Sequence, residues 1–325
     1  MDWICGQTGS RRARRGERIQ SLWSGYGEIV RVHLDGAAYP SVVVKDVHPP
    51  ATGRRGRKAA RRDLGHARKV RSYEVEEAFY RHYAGRCGED ARVPVLLGSR
   101  GTENGRVLLL EDLDASGFGG RRRFMGDADV QACLRWLANF HARFLGCAPE
   151  GLWAQGTYWH LATRPDELAA MPPGPLKTAA PAFDRLLRGA QYQTFVHGDA
   201  KTANFCFAAS GPAVAAVDFQ YVGGGCGMVD VCYLLSCMGA GWCGSHADWA
   251  LDTYFMALRA ALRRVAAADK GGLSSAEVRA LEAEWRALYP VAWADFARFL
   301  AGWAQGGWRD DGYGDDLVVR ALRLV

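Results

Sequence analysis

Asp199, Asn204 and Asp218 bracket two short β-type runs, Phe205–Phe207 and Val214–Val217, and this placement constrains the chain more than any other feature. Ser210-Gly211-Pro212 between the runs carries turn chemistry, so they predict a β-hairpin. A hairpin brings the loop entering its first strand beside the residue leaving its second. The three polar residues are therefore expected at one end of it. A lone His197-Gly198-Asp199 would say little, because an isolated loop Asp is usually a turn residue. The set of three says much more.

The stretch ahead of this hairpin divides in two. Ser21–Trp23 and Glu28–Leu34 read as short strands around Ser24-Gly25-Tyr26-Gly27, and Ser41–Lys45 is a β-branched run that stops before Pro49-Pro50. Ala51–Arg71 is rich in Gly, Arg and Lys without apolar periodicity, which predicts a surface loop; a helix is expected from Ser72, with Tyr73, Glu76 or Glu77, and Tyr80 in step. Val107–Leu110 is a buried-strand run that gives way to Glu111-Asp112-Leu113-Asp114 and a Gly-rich stretch. Beyond it helices dominate. Asp127–Leu145 places Val130, Leu134, Leu137, His141 and Phe144 on one stripe; Ser274-x-x-Glu277 is a capping box; Pro290 is expected to end that helix and start the next. The fold class expected is α+β and bilobed. Residues 1–20 would be a basic N-terminal tail, residues 21–113 a small β-rich lobe and residues 114–325 a larger, mainly helical lobe.

Charge and cysteine content bound the rest. Through Arg71 the chain has 16 Lys/Arg against 6 Asp/Glu, and the remainder has 25 against 29. Such asymmetry suits a phosphate-bearing ligand, nucleic acid or an anionic surface. The Arg-rich stretches lack interleaved aromatics for base stacking, which argues against nucleic acid. The plainest reading of Arg11–Arg18 is a solvated loop, with an organelle-targeting segment as the alternative. No apolar run is long enough to span a bilayer, so a membrane is not expected and the cytoplasm is the default. The nine cysteines are odd in number and contain no C-x-x-C pair, which predicts reduced thiols rather than disulfides or a metal cluster. Oligomeric state is not legible.

Moving a γ-phosphoryl group needs the kind of residues that the hairpin gathers. One carboxylate orients the acceptor hydroxyl and takes its proton, while a second carboxylate and an amide oxygen hold Mg²⁺ against the phosphates. The five-residue step from Asp199 to Asn204 matches the catalytic-loop spacing of protein kinases. Lys201 can reach the transferring phosphate. Lys45 ends an apolar run and needs a carboxylate; Glu76 is the best candidate, with Glu74 and Glu77 as rivals. Gly25, Tyr26 and Gly27 could offer backbone N–H groups to a triphosphate, or simply make a hairpin turn. The Glu111 carbonyl and the Leu113 N–H could pair with an adenine edge. ATP and Mg²⁺ are the cofactors expected, and the absence of G-x-x-x-x-G-K-[ST] excludes a P-loop enzyme.

These residues resemble the aminoglycoside phosphotransferase and choline kinase superfamily, particularly its ecdysteroid-kinase-like branch. The resemblance runs from about Leu22 to Trp303. It is carried by Val44-Lys45, Glu76-x-x-Phe79-Tyr80, Leu109 to Leu113, His197-Gly198-Asp199 with Asn204, and Val217-Asp218-Phe219-Gln220. It implies a kinase-like fold and phosphorylation of a hydroxyl on a small-molecule alcohol. It also implies Asp199 as catalytic base, Asn204 and Asp218 as metal ligands, Lys45 as phosphate clamp, and Asp230 as a structural acid bracing the catalytic loop. Lys201 and the basic Ala51–Arg71 insertion depart from the pattern.

A protein Ser/Thr kinase is the nearest alternative. Gly198 in place of Arg, the short Asp218–Asp230 interval and the lack of Ala-Pro-Glu weigh against it. An inactive nucleotide-binding scaffold is another, opposed by the full set of polar residues. The acceptor is not named by the sequence. Trp153, Trp159, Trp285, Trp293, Trp303 and Trp308 read mostly as core, and His141 and His160 as packed. If a few of the tryptophans line the cleft, the acceptor is an apolar or flat alcohol or a quaternary ammonium.

Overall fold

The computed structural model describes residues 1–22, 25–49, 57–103, 105–269, 271–304 and 312–325. Trp23, Ser24 and Trp308 lie outside them.

Five antiparallel strands make the N-terminal sheet: β1 (Arg12–Ser21), β2 (Gly27–Asp35), β3 (Ser41–Val47), β4 (Leu96–Thr102) and β5 (Gly105–Glu111), in the order β1-β2-β3-β5-β4. Helix α1 (Asp2–Thr8) covers one face, where Ile4 packs with Val32, Leu34, Val42 and Leu109. Helix α2 (Arg57–His82) lies in sequence between β3 and β4. The two-residue period of β3 sends Val42 and Val44 to the α1 side and Val43, Lys45 and Val47 to the α2 side. Lys45 is thereby carried inside by its apolar neighbours, opposite Ile29 on β2 and Leu108 on β5.

The remainder is mainly helical: α3 (Asp127–Arg143), α4 (Pro165–Ala170), α5 (Pro175–Arg188), α6 (Met228–Ser236), α7 (Ala240–Asp269), α8 (Ser275–Trp303) and α9 (Tyr313–Leu322). Two small two-stranded antiparallel sheets sit among them. Strand β6 (Thr194–Val196) pairs with β9 (Gly223–Gly225), and β7 (Phe205–Phe207) pairs with β8 (Val214–Ala216). One apolar core runs from Val75, Phe79 and Tyr80 of α2 through α3 to Phe219 and α8. At its junction Phe79 stacks on Phe219 with ring centroids 4.0 Å apart. No helix among the described residues is long and apolar enough to cross a membrane.

Three expectations need correction. Residues 1–20, expected as a basic tail with Arg11–Arg18 in a loop, contain α1 and most of β1. An edge strand tolerates such a sequence because only one side needs pairing, and charged edges resist further strand addition. Cross-strand ion pairs, Arg15 to Glu28 at 2.9 Å and Glu17 to Arg31, hold it in register. Second, the Ala51–Arg71 loop is helical from Arg57, well before Ser72. Its Ala, Arg and Lys are strong helix formers, and the apolar stripe that signals a helix begins only at Tyr73. Third, α8 continues through Pro290. The proline removes one intrahelical hydrogen bond, but residues 288–300 are buried almost throughout against α4, α5, α6 and α9, which offsets the loss. The β7–β8 hairpin, the α3 stripe and the Ser274–Glu277 capping box are as expected. All nine cysteines are free thiols.

Candidate active site

The loop after β6 carries the central carboxylate. Its backbone is pinned from below by the buried Asp230 of α6, which accepts from His197 N–H at 2.5 Å and Gly198 N–H at 2.9 Å. His141 Nε2 lies 3.1 Å from the same carboxylate, and Tyr254 Oη lies 2.7 Å from His141 Nδ1. Both oxygens of the buried Asp230 carboxylate are thus hydrogen-bonded. Gly198 has φ 78°, and a Cβ there would stand 2.1 Å from the Tyr221 carbonyl oxygen and 2.7 Å from Thr157 N. This position excludes any side chain, the Arg of protein kinases included.

On this platform Asp199 is held by two neighbours. Lys201 Nζ donates to Oδ2 at 2.8 Å, and Asn204 Nδ2 donates to Oδ2 at 3.0 Å and to the Asp199 carbonyl at 2.8 Å. Burial, with Asp218 nearby, raises the Asp199 pKa against the pull of Lys201. Asn204 spends its NH₂ on Asp199, so its Oδ1 remains free to ligate.

The second half of the site joins residues far apart in sequence. Lys45 Nζ lies 2.8 Å from Glu76 Oε1 and 3.0 Å from Asp218 Oδ1. Of the three candidate glutamates, Glu76 is the one that meets the lysine; Glu74 and Glu77 face Arg71, Arg81 and Arg106 instead. Gln220 Nε2 also donates to Asp218 Oδ1, and its Oε1 accepts from Lys69 at 2.7 Å and Ser72 at 3.1 Å. Burial opposes ionisation of Asp218, yet Lys45 and Lys69 hold its pKa well below the ordinary value. Lys45 is raised by Asp218 and Glu76 in spite of its own burial, whereas Lys69 is lowered by burial. Asp218 has φ 69° and Thr157 φ 87°, the two left-handed non-glycine residues among those described. Such backbone costs on the order of 1–3 kcal/mol per residue and tends to gather at functional sites. Both flank the Asp199 loop.

The remaining predicted residues lie in the β1–β2 turn and at the end of β5. Gly25 and Gly27 turn the β1–β2 hairpin with φ 77° and 127°, and a Cβ on Gly27 would meet the Asp46 carbonyl oxygen at 2.0 Å. The Tyr26 side chain points inward, its hydroxyl 2.7 Å from His66 Nδ1 and its ring beside Tyr73, so only its backbone faces outward. Glu111 is locked at the end of β5 by Arg92 and by Val95 N–H, 3.0 Å from Oε2. Asp112 is fixed by Arg31 at 2.6 Å and Ser41 at 2.6 Å. Leu113 N–H has no partner among the described residues, while its carbonyl accepts from Phe118 N–H at 2.8 Å.

Sequence reasoning missed several residues. Lys69 shares one face of α2 with the predicted Tyr73 and Glu76, at steps of four and three, a signal available once the helix is extended upstream. Tyr158 is the hub of an aromatic cluster with Tyr221, Tyr233 and Phe299, at centroid distances of 5.9, 5.6 and 5.3 Å. Its N–H donates at 3.1 Å to the carbonyl of Gly198, the residue before Asp199. Arg164 covers the Tyr158 and Phe299 rings and bonds Glu167 at 3.0 Å. No motif marks this cluster. Trp159, Trp285 and Trp293 are core, as read; Trp303 is exposed and stacks on Phe299.

The donor set suits a hard divalent cation: one carboxylate and one amide, with oxygen ligands free on each. No cluster of three or more His, Cys, Asp or Glu side chains suited to a metal occurs among the described residues, so cysteine or histidine coordination has no candidate. Phosphate oxygens would complete a two-ligand protein site.

No curated protein sequence matches the chain. Among solved structures, the amicoumacin kinase hAmiN in complex with AMP-PNP, Ca²⁺ and Ami superimposes with TM-score 0.50 at 13% identity, covering 94% of this chain and 87% of that one. An aminoglycoside-3'-phosphotransferase of type VIII gives TM-score 0.43 at 18% identity over 87% of this chain and 98% of that one. The aminoglycoside phosphotransferase APH(3'')-Id from Streptomyces rimosus ATCC10970 gives 0.44 at 16% identity over 88% and 96%. The first of these likenesses speaks for a kinase-like fold and for nothing finer. The sequence profile of the APH phosphotransferase enzyme family matches residues 19–268, more than half the chain, and the protein belongs to that family.

Proposed function

We propose that the protein is an ATP- and Mg²⁺-dependent kinase that phosphorylates a hydroxyl of a small-molecule alcohol. The observation that carries this reading is the meeting of Lys45, Glu76 and Asp218 beside Asp199 and Asn204. Lys45, drawn from β3 and oriented by Glu76, would hold the α- and β-phosphates. Asn204 Oδ1 and the Asp218 carboxylate would hold Mg²⁺, which when bound neutralises charge on the phosphates. Asp199, with its carboxylate fixed by Asn204, would align the acceptor hydroxyl and accept its proton as the phosphoryl group moves. Lys201 would exchange its contact with Asp199 for the transferring phosphate. Residues 21–113 would form the nucleotide-binding lobe and residues 114–325 the catalytic and acceptor lobe. The Leu113 N–H and Glu111 carbonyl would receive adenine between them, and Gly25 to Gly27 would close over the phosphates. A cytoplasmic setting supplies the cosubstrates.

The Tyr158 cluster favours a flat or apolar alcohol, in keeping with the ecdysteroid-kinase-like resemblance. A polycation meets Arg164, paired with Glu167, beside those rings. The protein Ser/Thr kinase alternative loses ground at residues 219–229. That interval holds β9 and the start of α6, and none of its residues is exposed, which leaves no segment to dock a peptide.

The test is to incubate the protein with γ-labelled ATP, Mg²⁺ and fractionated small molecules beside Asp199→Ala. Label entering a small, phosphatase-sensitive product with wild type alone supports the reading. Equal turnover by Asp199→Ala would overturn the role of the base.

A further inference from the structure

The basic stretch leading into α2 has no part in the mechanism above, yet one of its residues reaches the site. Lys69 lies seven residues before Glu76 and four before Tyr73, so all three project from one face of α2. Its ammonium rests on the Gln220 amide oxygen at 2.7 Å and sits 4.8 Å from the centre of the Tyr73 ring. Lys45 Nζ is 5.7 Å from the same ring centre. Two cations therefore face one aromatic ring, but they are not compensated alike. Lys45 meets two carboxylates, while no carboxylate oxygen among the described residues lies within 4.0 Å of the Lys69 ammonium. A half-buried ammonium held only by a neutral amide and a ring retains most of its capacity to bind an anion.

A second observation points to the same space. The Tyr73 hydroxyl is buried and has no hydrogen-bond partner among the described residues. Buried hydroxyls are nearly always paired, so an orphan on a ring faced by two lysines points to a polar ligand there. Lys45 bonds Glu76 and Asp218 directly, whereas Lys69 reaches Asp218 one step further out, through Gln220. Two lysines at successive steps along one network suit successive phosphates of one chain.

We propose that Lys69 is a second phosphate-binding lysine, which leaves Gln220 to contact the terminal phosphate of a bound nucleoside triphosphate. This assignment rests on the kinase reading and adds to it a discrimination between triphosphate and diphosphate. Lys45 would hold what both nucleotides share, and Lys69 what only the triphosphate has. Release of Gln220 would also leave its amide free to steady Asp218, so triphosphate binding and the posture of the metal-site carboxylate would be linked.

The experiment is a titration of the full chain with Mg²⁺-ATP and Mg²⁺-ADP, comparing wild type, Lys69→Met and Lys69→Arg. A lost charge-assisted contact should weaken ATP binding in Lys69→Met on the order of tenfold to a hundredfold. ADP binding should stay within about twofold, and Lys69→Arg should keep the preference for ATP. If Lys69→Met does not fold, Lys69→Gln removes the charge at similar length and is expected to give the same split. ATP and ADP affinities that fall together would overturn the proposal and leave Lys69 as a support for Gln220. An unchanged ATP affinity would overturn it outright. Wild-type protein that binds neither nucleotide would overturn the kinase reading, and this one with it.

Discussion

The two walls that approach Asp199 are built on opposite principles. On the sheet side, Lys45, Glu76, Asp218 and Gln220 form a hydrogen-bonded polar network joining β3, α2 and the turn after β8. On the other side, Tyr158, Tyr221, Tyr233 and Phe299 meet ring against ring, with Arg164 laid across two of them. A polar network in a buried site tolerates few alternatives, because each missing partner strands a charge or a donor. An aromatic wall is held by area and shape, and many residue combinations can supply both. The first suits a cosubstrate whose triphosphate never varies. The second suits a ligand recognised by area and shape rather than by charge.

This contrast predicts a hierarchy of mutational effects, the largest at Asp199, where the walls meet. Asp199→Ala should lower the transfer rate by about a hundredfold to ten-thousandfold, the usual contribution of a positioned base. Mg²⁺-nucleotide binding should survive, since Lys45, Asn204 and Asp218 remain. Asp218→Ala should abolish transfer as well, but by removing the Mg²⁺ dependence of nucleotide binding, which calorimetry with and without the metal would separate. A variant of Asp199 that also lost nucleotide affinity would erase the distinction between base and metal ligand.

Lys45→Met comes next and bears on stability as much as function. Removing the cation leaves buried Glu76 without its counter-charge and Asp218 with only Gln220 and the more distant Lys69, a change that costs roughly 3–5 kcal/mol when a buried pair is broken. Thermal unfolding should report it as a clear drop in midpoint. Tyr233→Phe, on the aromatic wall, should leave the midpoint within a degree or two and alter only the acceptor KM. Equal destabilisation by both variants would mean that the aromatic wall is also structural.

The same contrast governs what the sequence disclosed. The polar network was legible because each member sits at a fixed step from a β-run: Asp199 to Asn204, Asp218 after β8, Lys45 at the apolar end of β3. Glu76 is the best candidate from the sequence, with two rivals, and the helical phase places it inward while Glu74 and Glu77 meet arginines. Lys69 escaped because its basic neighbourhood shows no apolar stripe, although propensity favoured a helix there. Strand β1 escaped for a related reason: an edge strand paired on one side needs no alternation, and Arg-Arg-Ala-Arg-Arg reads as solvent-exposed chain. The aromatic wall was invisible in kind, since Tyr158, Tyr233 and Phe299 come from three separate segments with no shared spacing, and only packing brings them together.

A pH profile separates the two carboxylates of the site without any substitution. Burial raises Asp199, whereas Lys45 and Lys69 hold Asp218 low against its own burial. A base must be ionised to take a proton, so activity should be full above the raised Asp199 pKa and fall about tenfold per pH unit below it. That acidic limb should lie above the value of about 3.9 found for an unperturbed aspartate. Asp218 remains charged through the same interval, so Mg²⁺-nucleotide affinity should hold while turnover declines. Parallel loss of affinity and turnover would instead mean that the limb belongs to the metal site.

The smallest effect is expected at the outer edge of the aromatic wall. Trp303 is 61% exposed and stacks on Phe299 at 6.1 Å, so it contributes little to the core. Trp303→Ala should therefore leave the unfolding midpoint and nucleotide binding unchanged. If its ring extends the wall that receives the acceptor, the variant should raise the acceptor KM by up to about tenfold, the worth of one aromatic contact. The nucleotide KM should not move, because no residue of the polar network touches this ring. A shift confined to the acceptor would fix the wall's outer limit at α8, whereas no shift in either KM would draw that limit back to Phe299.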